Sequence, residues 1–173
     1  MKIDQVNLPD LRVAGVRRVG PYGPEVGQAF CKLVSWAGKH QLFNCQSLVI
    51  GAYWDCPEIT PPEQCRMDAC LTLSPEMNPL LEEGIVIQTL PGGLCATYLR
   101  SVYDNDFHGG WTDFSNWQKQ NNVEVDSRPW YEFYYGTAAE HHPLKKEAAK
   151  CIVLCANCHR AVEAGKVNFD QTD

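Results

Sequence analysis

The side chains best suited to chemistry are concentrated in one stretch, Pro129-Trp130-Tyr131-Glu132-Phe133-Tyr134-Tyr135. On a strand, alternation puts Trp130, Glu132 and Tyr134 on one face and Tyr131, Phe133 and Tyr135 on the other. Two placements are open for Glu132. On a solvated face it is an ordinary surface charge, and alternation alone favours that placement. On a covered face, a carboxylate among rings and without a partner bears a large desolvation cost, and its pKa should rise. A group in that state suits two tasks. It can await a ligand cation, assisted by cation–π attraction from nearby rings, or it can act as a general acid or base.

The second chemical cluster is the tail, Cys151-Ile152-Val153-Leu154-Cys155-Ala156-Asn157-Cys158-His159. Cys155-x-x-Cys158-His159 spells a c-type haem attachment site, yet no Met or His follows to serve as distal ligand. The run also resembles the end of HNH nucleases, with His141 and His142 upstream. Glu163 stands where a further His belongs, however, and a second Cys-x-x-Cys pair is absent. Zinc held by Cys151, Cys155, Cys158 and His159 is sterically conceivable, but one such pair with an adjacent His is a weak signal. The expectation is ordinary reduced thiols, no metal and no cofactor. No Ser-His-Asp set or Cys-His pair supports another hydrolase chemistry.

The elements that must position these groups follow from periodicity. Arg12–Val19 is a β-branched strand ended by the turn cluster Gly20-Pro21-Tyr22-Gly23-Pro24. Val26, Ala29, Phe30, Leu33, Val34 and Ala37 then recur at helical spacing, with Gly38 as the stop. Ser47–Trp54 and Arg66–Leu73 are strands separated by a Pro-rich loop. Ile85–Leu90, the Pro91-Gly92-Gly93 turn and Leu94–Ser101 suggest a hairpin. A helix carrying Phe107, Trp111, Phe114 and Trp117 follows, then strands at Trp130–Tyr135 and Lys150–Cys155, with a loop at Gly136–Lys146 between them. Sliding the chain by about 81 residues lays Trp36 on Trp117 and Tyr53 on Tyr134, so each half is strand, helix, strand, strand. The expected fold class is α+β: a duplicated β-α-β-β module, its antiparallel sheet backed by two helices on one face, with a groove between the halves.

Composition narrows the classes. The 173 residues are 45% apolar, enough for a packed core. Fifteen Lys+Arg against 21 Asp+Glu give a net charge of −6, which argues against a large nucleic-acid footprint. No apolar run approaches the roughly 20 residues of a membrane span. The start, Met1-Lys2-Ile3-Asp4, lacks the features of a signal peptide, so a cytoplasmic location is expected. Nine cysteines, an odd number, then stand as reduced thiols.

Five pieces in order resemble one family: Leu8-Pro9 with Arg12-Val13-Ala14; Gly20-Pro21-Tyr22; Gly51-Ala52-Tyr53-Trp54-Asp55-Cys56-Pro57; Pro61-Pro62-Glu63 through Arg66-Met67-Asp68-Ala69-Cys70; and Arg128-Pro129-Trp130-Tyr131-Glu132-Phe133-Tyr134. Together they are similar to the GyrI-like small-molecule-binding family, found in SbmC-type gyrase inhibitory proteins and in AraC-type and MerR-type multidrug regulators. The resemblance implies an effector-binding domain over residues 1–155; the tail goes beyond the family pattern, and residues 156–173 are expected as an extension, a short helix and a disordered end. It implies a central groove for amphipathic, often cationic, ligands, with Glu132 as the acidic pocket residue and Tyr134 beside it. Tyr22 and Tyr53 match the aromatic positions of the first half. Trp111, Phe107, Trp117 and Trp130 complete the candidate ligand-binding set, although an aromatic stripe at helical spacing more often belongs to a core. Trp111, placed after Gly109-Gly110, is the candidate mobile wall. Asp68 is expected to be structural, and Trp54 to pack on the face opposite Tyr53.

No helix-turn-helix pattern is visible, so the module is expected to stand alone. The expected partner is a small organic cation, with neither direct DNA binding nor a membrane. Two alternatives stay open. One is a hydrolase of strained electrophiles, with Glu132 as general base and Tyr134 or Tyr53 as donor. The other is a gyrase-type protein partner engaged through an outer surface.

Overall fold

The computed structural model describes residues 1–101, 107–134 and 149–154. Its elements run β1 (Ile3–Leu8), β2 (Leu11–Val19), α1 (Val26–Lys39), β3 (Val49–Tyr53), a 3₁₀ turn at Pro62–Gln64, β4 (Arg66–Thr72), β5 (Val86–Leu90), β6 (Gly93–Ser101), α2 (Phe107–Gln120), β7 (Trp130–Tyr134) and β8 (Ala149–Leu154). The fold is α+β, with two helices and antiparallel strands. The chain divides into two compact units: an N-half, Asp10–Pro91, and a C-half, made of Met1–Pro9 together with Gly92–Asp173.

Each unit has the same plan. In the N-half the strands lie in the order β3-β4-β2-β5. In the C-half the order is β7-β8-β6-β1. The offset of about 81 residues expected from the sequence carries Val26 to Phe107 and Val49 to Trp130, and both helices are 14 residues long.

The helix ends repeat as well. α1 closes with Gln41 at φ 53, Leu42 N–H donating to the Ala37 carbonyl at 2.9 Å and Gln41 N–H to Gly38 at 3.1 Å. α2 closes with Asn122 at φ 52, Val123 N–H donating to Gln118 at 3.0 Å and Asn122 N–H to Lys119 at 3.3 Å. Both are Schellman caps, with the residue after the left-handed position, Leu42 or Val123, buried against its helix end.

The edge strands correct one expectation. Ile85–Leu90 does not form a hairpin with Leu94–Ser101: β5 pairs with β2, and β6 pairs with β1. The tight connection at Pro91-Gly92 carries the chain out of one unit's edge strand and into the other unit's sheet. Gly92 is required there, because a Cβ would lie 2.3 Å from the Leu8 carbonyl oxygen and 2.4 Å from Pro9 C. β1 was not expected as a strand at all; it supplies the edge of the C-half sheet.

The N-half core gathers Val13, Leu33, Ile50, Met67, Leu71 and Leu90, all at most 1% exposed. Each such aliphatic side chain contributes about 1.5–3 kcal/mol by leaving water. α1 turns Ala29, Leu33, Trp36 and Ala37 inward against β2 and β4. The C-half core is built on Ile3, Ala96, Phe114 and Val123, with Tyr98, Trp111, Trp117 and Trp130 packed against it.

Candidate functional site

Strand β7 forms because Trp130–Tyr134 is wholly aromatic apart from one acid, a composition that suits a pleated, covered surface. Tyr131 and Phe133 are buried on one face. On the other face Trp130 stacks on Trp111 of α2, ring centroids 5.8 Å apart and planes 29° from parallel. The α2 stripe continues through Phe114 to Trp117, 5.3 Å away. Trp111 stacks on Trp130, and α2 runs through both Gly109 and Gly110.

This covered face also bears Glu132, which is 1% exposed. Of the two placements left open by alternation, the structure takes the buried one. The Tyr134 hydroxyl, two residues along the same face, donates to Glu132 Oε2 at 2.8 Å. The phenol is a neutral donor to that carboxyl oxygen. Chemically, the C-half offers an acid removed from water, a phenol in contact with it, and aromatic rings on the same strand face and on α2.

The N-half carries the equivalent positions without the acid. Gly51 stands where the C-half has Glu132, and Tyr53 where it has Tyr134. Tyr53 meets the edge of Tyr22, centroids 5.0 Å apart at 79°. The Tyr22 hydroxyl is occupied by the backbone: it lies 2.8 Å from the Arg66 carbonyl and 3.1 Å from that of Asp55, and accepts the Asp55 N–H at 3.2 Å. Burial pushes its phenol pKa upward. Asp55 in turn takes Arg66 in a bidentate pair, Nε to Oδ2 and Nη2 to Oδ1 both at 2.9 Å, and its pKa is lowered by that guanidinium. Tyr22 therefore acts as a tie between the β3 and β4 ends, presenting its ring to Tyr53.

One polar network was legible only in part. Asp68, expected to be structural, is 1% exposed. It accepts Arg17 Nε and Nη2, both at 2.7 Å, the Trp54 indole N–H at 2.8 Å and the Gln88 amide at 2.9 Å. The Arg17 guanidinium also lies 5.4 Å above the Trp54 ring. Burial pushes the Asp68 carboxyl up, but the hydrogen bonds from Arg17, Gln88 and Trp54 outweigh it and hold the pKa below its usual value. Trp54 lies on the Asp68 side of the sheet, opposite Tyr53, as alternation requires. The roles of Arg17 and Gln88 were missed, since nothing local marks residues whose partner lies on another strand.

The structure thus brings together Glu132 with Tyr134, Trp111 with Trp130, Phe114 with Trp117, and Tyr22 with Tyr53. Phe107 opens α2, and its side chain lies outside the described residues. So do Cys155, Cys158 and His159, the extension over 156–173 and the loop over 136–146; Cys151 is described as backbone in β8. The cysteines among the described side chains, Cys31, Cys45, Cys56, Cys65, Cys70 and Cys95, are free thiols. Burial raises the pKa of Cys65 and of Cys70, which holds both as neutral thiols. Among the described residues, no group of three His, Cys, Asp or Glu is placed to hold a metal, and no helix is long and apolar enough to cross a membrane.

Comparison with known proteins places this geometry. The GyrI-like small molecule binding domain matches residues 1–152. A DNA gyrase inhibitor of Pantoea sp. (strain At-9b) is 30% identical over 141 residues, covering 81% of this chain and 90% of that protein. The C-terminal domain of EcmrR superposes with a TM-score of 0.67 at 13% identity, over 89% of this chain and 96% of that one. SAV2435, solved bound to tetraphenylphosphonium, superposes with a TM-score of 0.60 at 12% identity, over 90% and 93%. The two structures are similar in fold.

Proposed function

We propose, for a chain that belongs to the GyrI-like small-molecule-binding family, that it holds amphipathic organic cations, with Glu132 as the counter-charge. The observation that carries this reading is a carboxylate at 1% exposure between Trp130 and Tyr134 on one strand face, with a phenol as donor at 2.8 Å. A fixed acid in an apolar, aromatic setting favours a ligand that brings its own positive charge and a large apolar surface. The tetraphenylphosphonium bound to the similarly folded SAV2435 has that chemistry.

Burial of the ligand's apolar area, at about 25 cal/mol per Å², supplies most of the affinity. Glu132 supplies the selection for charge, because a buried ion pair gains little net free energy over its desolvation cost. Tyr134, Trp130, Trp111, Trp117 and Phe107 are the proposed ligand contacts of the C-half, and Tyr53 with Tyr22 those of the N-half.

The test is calorimetric titration of tetraphenylphosphonium and of neutral triphenylphosphine oxide into the parent and Glu132→Gln. The parent should prefer the cation. The variant should lose about tenfold or more toward the cation, the value of one hydrogen-bonded charge, and keep its affinity for the neutral probe. Equal cation affinity in parent and variant refutes the reading. Turnover of a strained electrophile, lost in Glu132→Gln, would instead make Glu132 a general base. A protein partner bound equally well by Glu132→Gln and Trp130→Ala would place the function on an outer surface.

A further inference from the structure

The two units are copies in which one position has diverged, and the divergence has a consequence for the ring beside it. In the C-half, Tyr134 reaches its neighbour two residues back, Glu132, through its hydroxyl. In the N-half the corresponding neighbour of Tyr53 is Gly51, and the tyrosine side chain lies beside it. A Cβ built at Gly51 would sit 3.0 Å from Tyr53 Cε2, 3.3 Å from its hydroxyl oxygen and 3.4 Å from Phe30 Cζ of α1. Gly51 lies inside β3, and an interior strand position is where glycine is otherwise unfavourable. It is also buried, and its φ does not lie in the left-handed region. The missing side chain, rather than backbone freedom, is therefore what the position uses.

Phe30 also lines that space, and Tyr22 meets the Tyr53 ring in a T-shaped pair at a centroid distance of 5.0 Å. Tyr22 is itself fixed by its hydrogen bonds to the Asp55 and Arg66 backbone. Three residues thus define one seat for an uncharged ring, at the position where the sister unit keeps an acid.

We infer that Gly51 is a specificity-determining residue: it removes the acid from the N-half copy of the site and leaves room for Tyr53 to lie against β3 as a neutral aromatic contact. The inference rests on the proposed ligand reading of Tyr53. On it, Gly51, acting through Tyr53, gives the N-half an uncharged aromatic contact that selects for shape.

The test is a double-mutant cycle on the full chain with Gly51→Ala, Tyr53→Ala and both together, read with tetraphenylphosphonium and triphenylphosphine oxide. Gly51→Ala should weaken both probes by the same factor, about three- to tenfold, the range of one aromatic contact. In the Tyr53→Ala background, which opens the space that a Cβ needs, Gly51→Ala should change neither. A Gly51→Ala effect of equal size in both backgrounds, or one confined to the cation, overturns the inference.

A ligand-free readout separates this from the function reading. The Tyr53 ring beside Gly51 should give a Gly51 Hα resonance a ring-current shift, and Tyr53→Ala should remove it; an unshifted resonance in the parent overturns the seat itself. A parent that binds neither probe overturns the ligand reading, and with it the selective role of Gly51. A parent that binds both probes but shows no coupling in the cycle overturns Gly51 alone.

Discussion

Asp68→Asn should destabilise the protein by about 2–3 kcal/mol at pH 7, for reasons that can be followed atom by atom. Asp68 is 1% exposed and accepts Arg17 twice, Trp54 once and Gln88 once. Asparagine keeps the shape but has one acceptor oxygen. If that oxygen takes the Oδ2 position, with its three donors, the amide nitrogen is left facing Arg17 Nε, donor against donor. Breaking a buried charge pair costs about 3–5 kcal/mol when the surviving charge cannot reach water. Here the Arg17 side chain is 45% exposed and can turn outward, which brings the figure to the lower end. At about 2–4 °C per kcal/mol for a chain of this size, the midpoint should fall by about 5–10 °C.

The same substitution carries a pH signature. The folded-state pKa of Asp68 lies below its ordinary value, so the stability it contributes is complete above the unfolded pKa, about 3.9, and is lost as pH falls through the folded value. Urea unfolding of parent and variant, at neutral pH and then stepwise into acid, should show a gap that narrows as pH falls. A neutral-pH loss under about 0.5 kcal/mol, or a gap that stays constant into the acid range where the parent still folds, would refute this account of the network.

Other consequences are quicker to state. Tyr22→Phe keeps the ring against Tyr53 but takes the acceptor from the Asp55 N–H and a second donor from the Arg66 carbonyl, which keeps the Trp54 N–H at 2.9 Å; urea titration should show a loss of about 1 kcal/mol, while the Gly51 Hα shift is retained. Removing residues 1–8 takes β1 from the edge of β6, so amide exchange should quicken in the C-half, including β7 with Glu132, while Asp10–Pro91 keeps its protection.

Much of the fold was legible because the duplication preserved length between each helix and the strand after it. Trp36 and Trp117, and Tyr53 and Tyr134, fell into register from a single offset. What escaped was partnering. Ile3-Asp4-Gln5-Val6-Asn7-Leu8 has only Ile3 fully buried, so alternation gives no strand signal there. Its identity shows only in the repeat, where Ile3…Leu8-Pro9 matches Ile85…Leu90-Pro91. The turn residues Pro91-Gly92-Gly93 were correctly seen as a sharp connection, yet a turn fixes the local path of the chain and not the strand it will pair with. The glycine answers to Leu8 and Pro9, far away in sequence.

The site divides in the same way. Period-two alternation placed Trp130, Glu132 and Tyr134 together, but alternation is silent on which face of a sheet is covered. That is decided by α2, whose Trp111 and Phe114 meet the Trp130 side, and only then does Glu132 become a buried acid rather than a surface charge. Asp68 shows the converse. Its own strand gives no hint of its charge partner, because Arg17 lies on the neighbouring strand and Gln88 on the edge beyond it.

A duplicated fold presents every position twice, and the difference between the copies then becomes informative. Helix caps, strand order and the Tyr53 and Tyr134 positions are kept in both halves, as the shared backbone geometry requires. The exchange of Gly51 for Glu132 is not required by that geometry, since each backbone position accommodates its residue within the same strand plan. Burying an acid in one copy carries a desolvation cost that a glycine in the other does not. At this matched pair of positions the cost is kept in one copy alone, and on the ligand reading proposed above it is what selects for a cation.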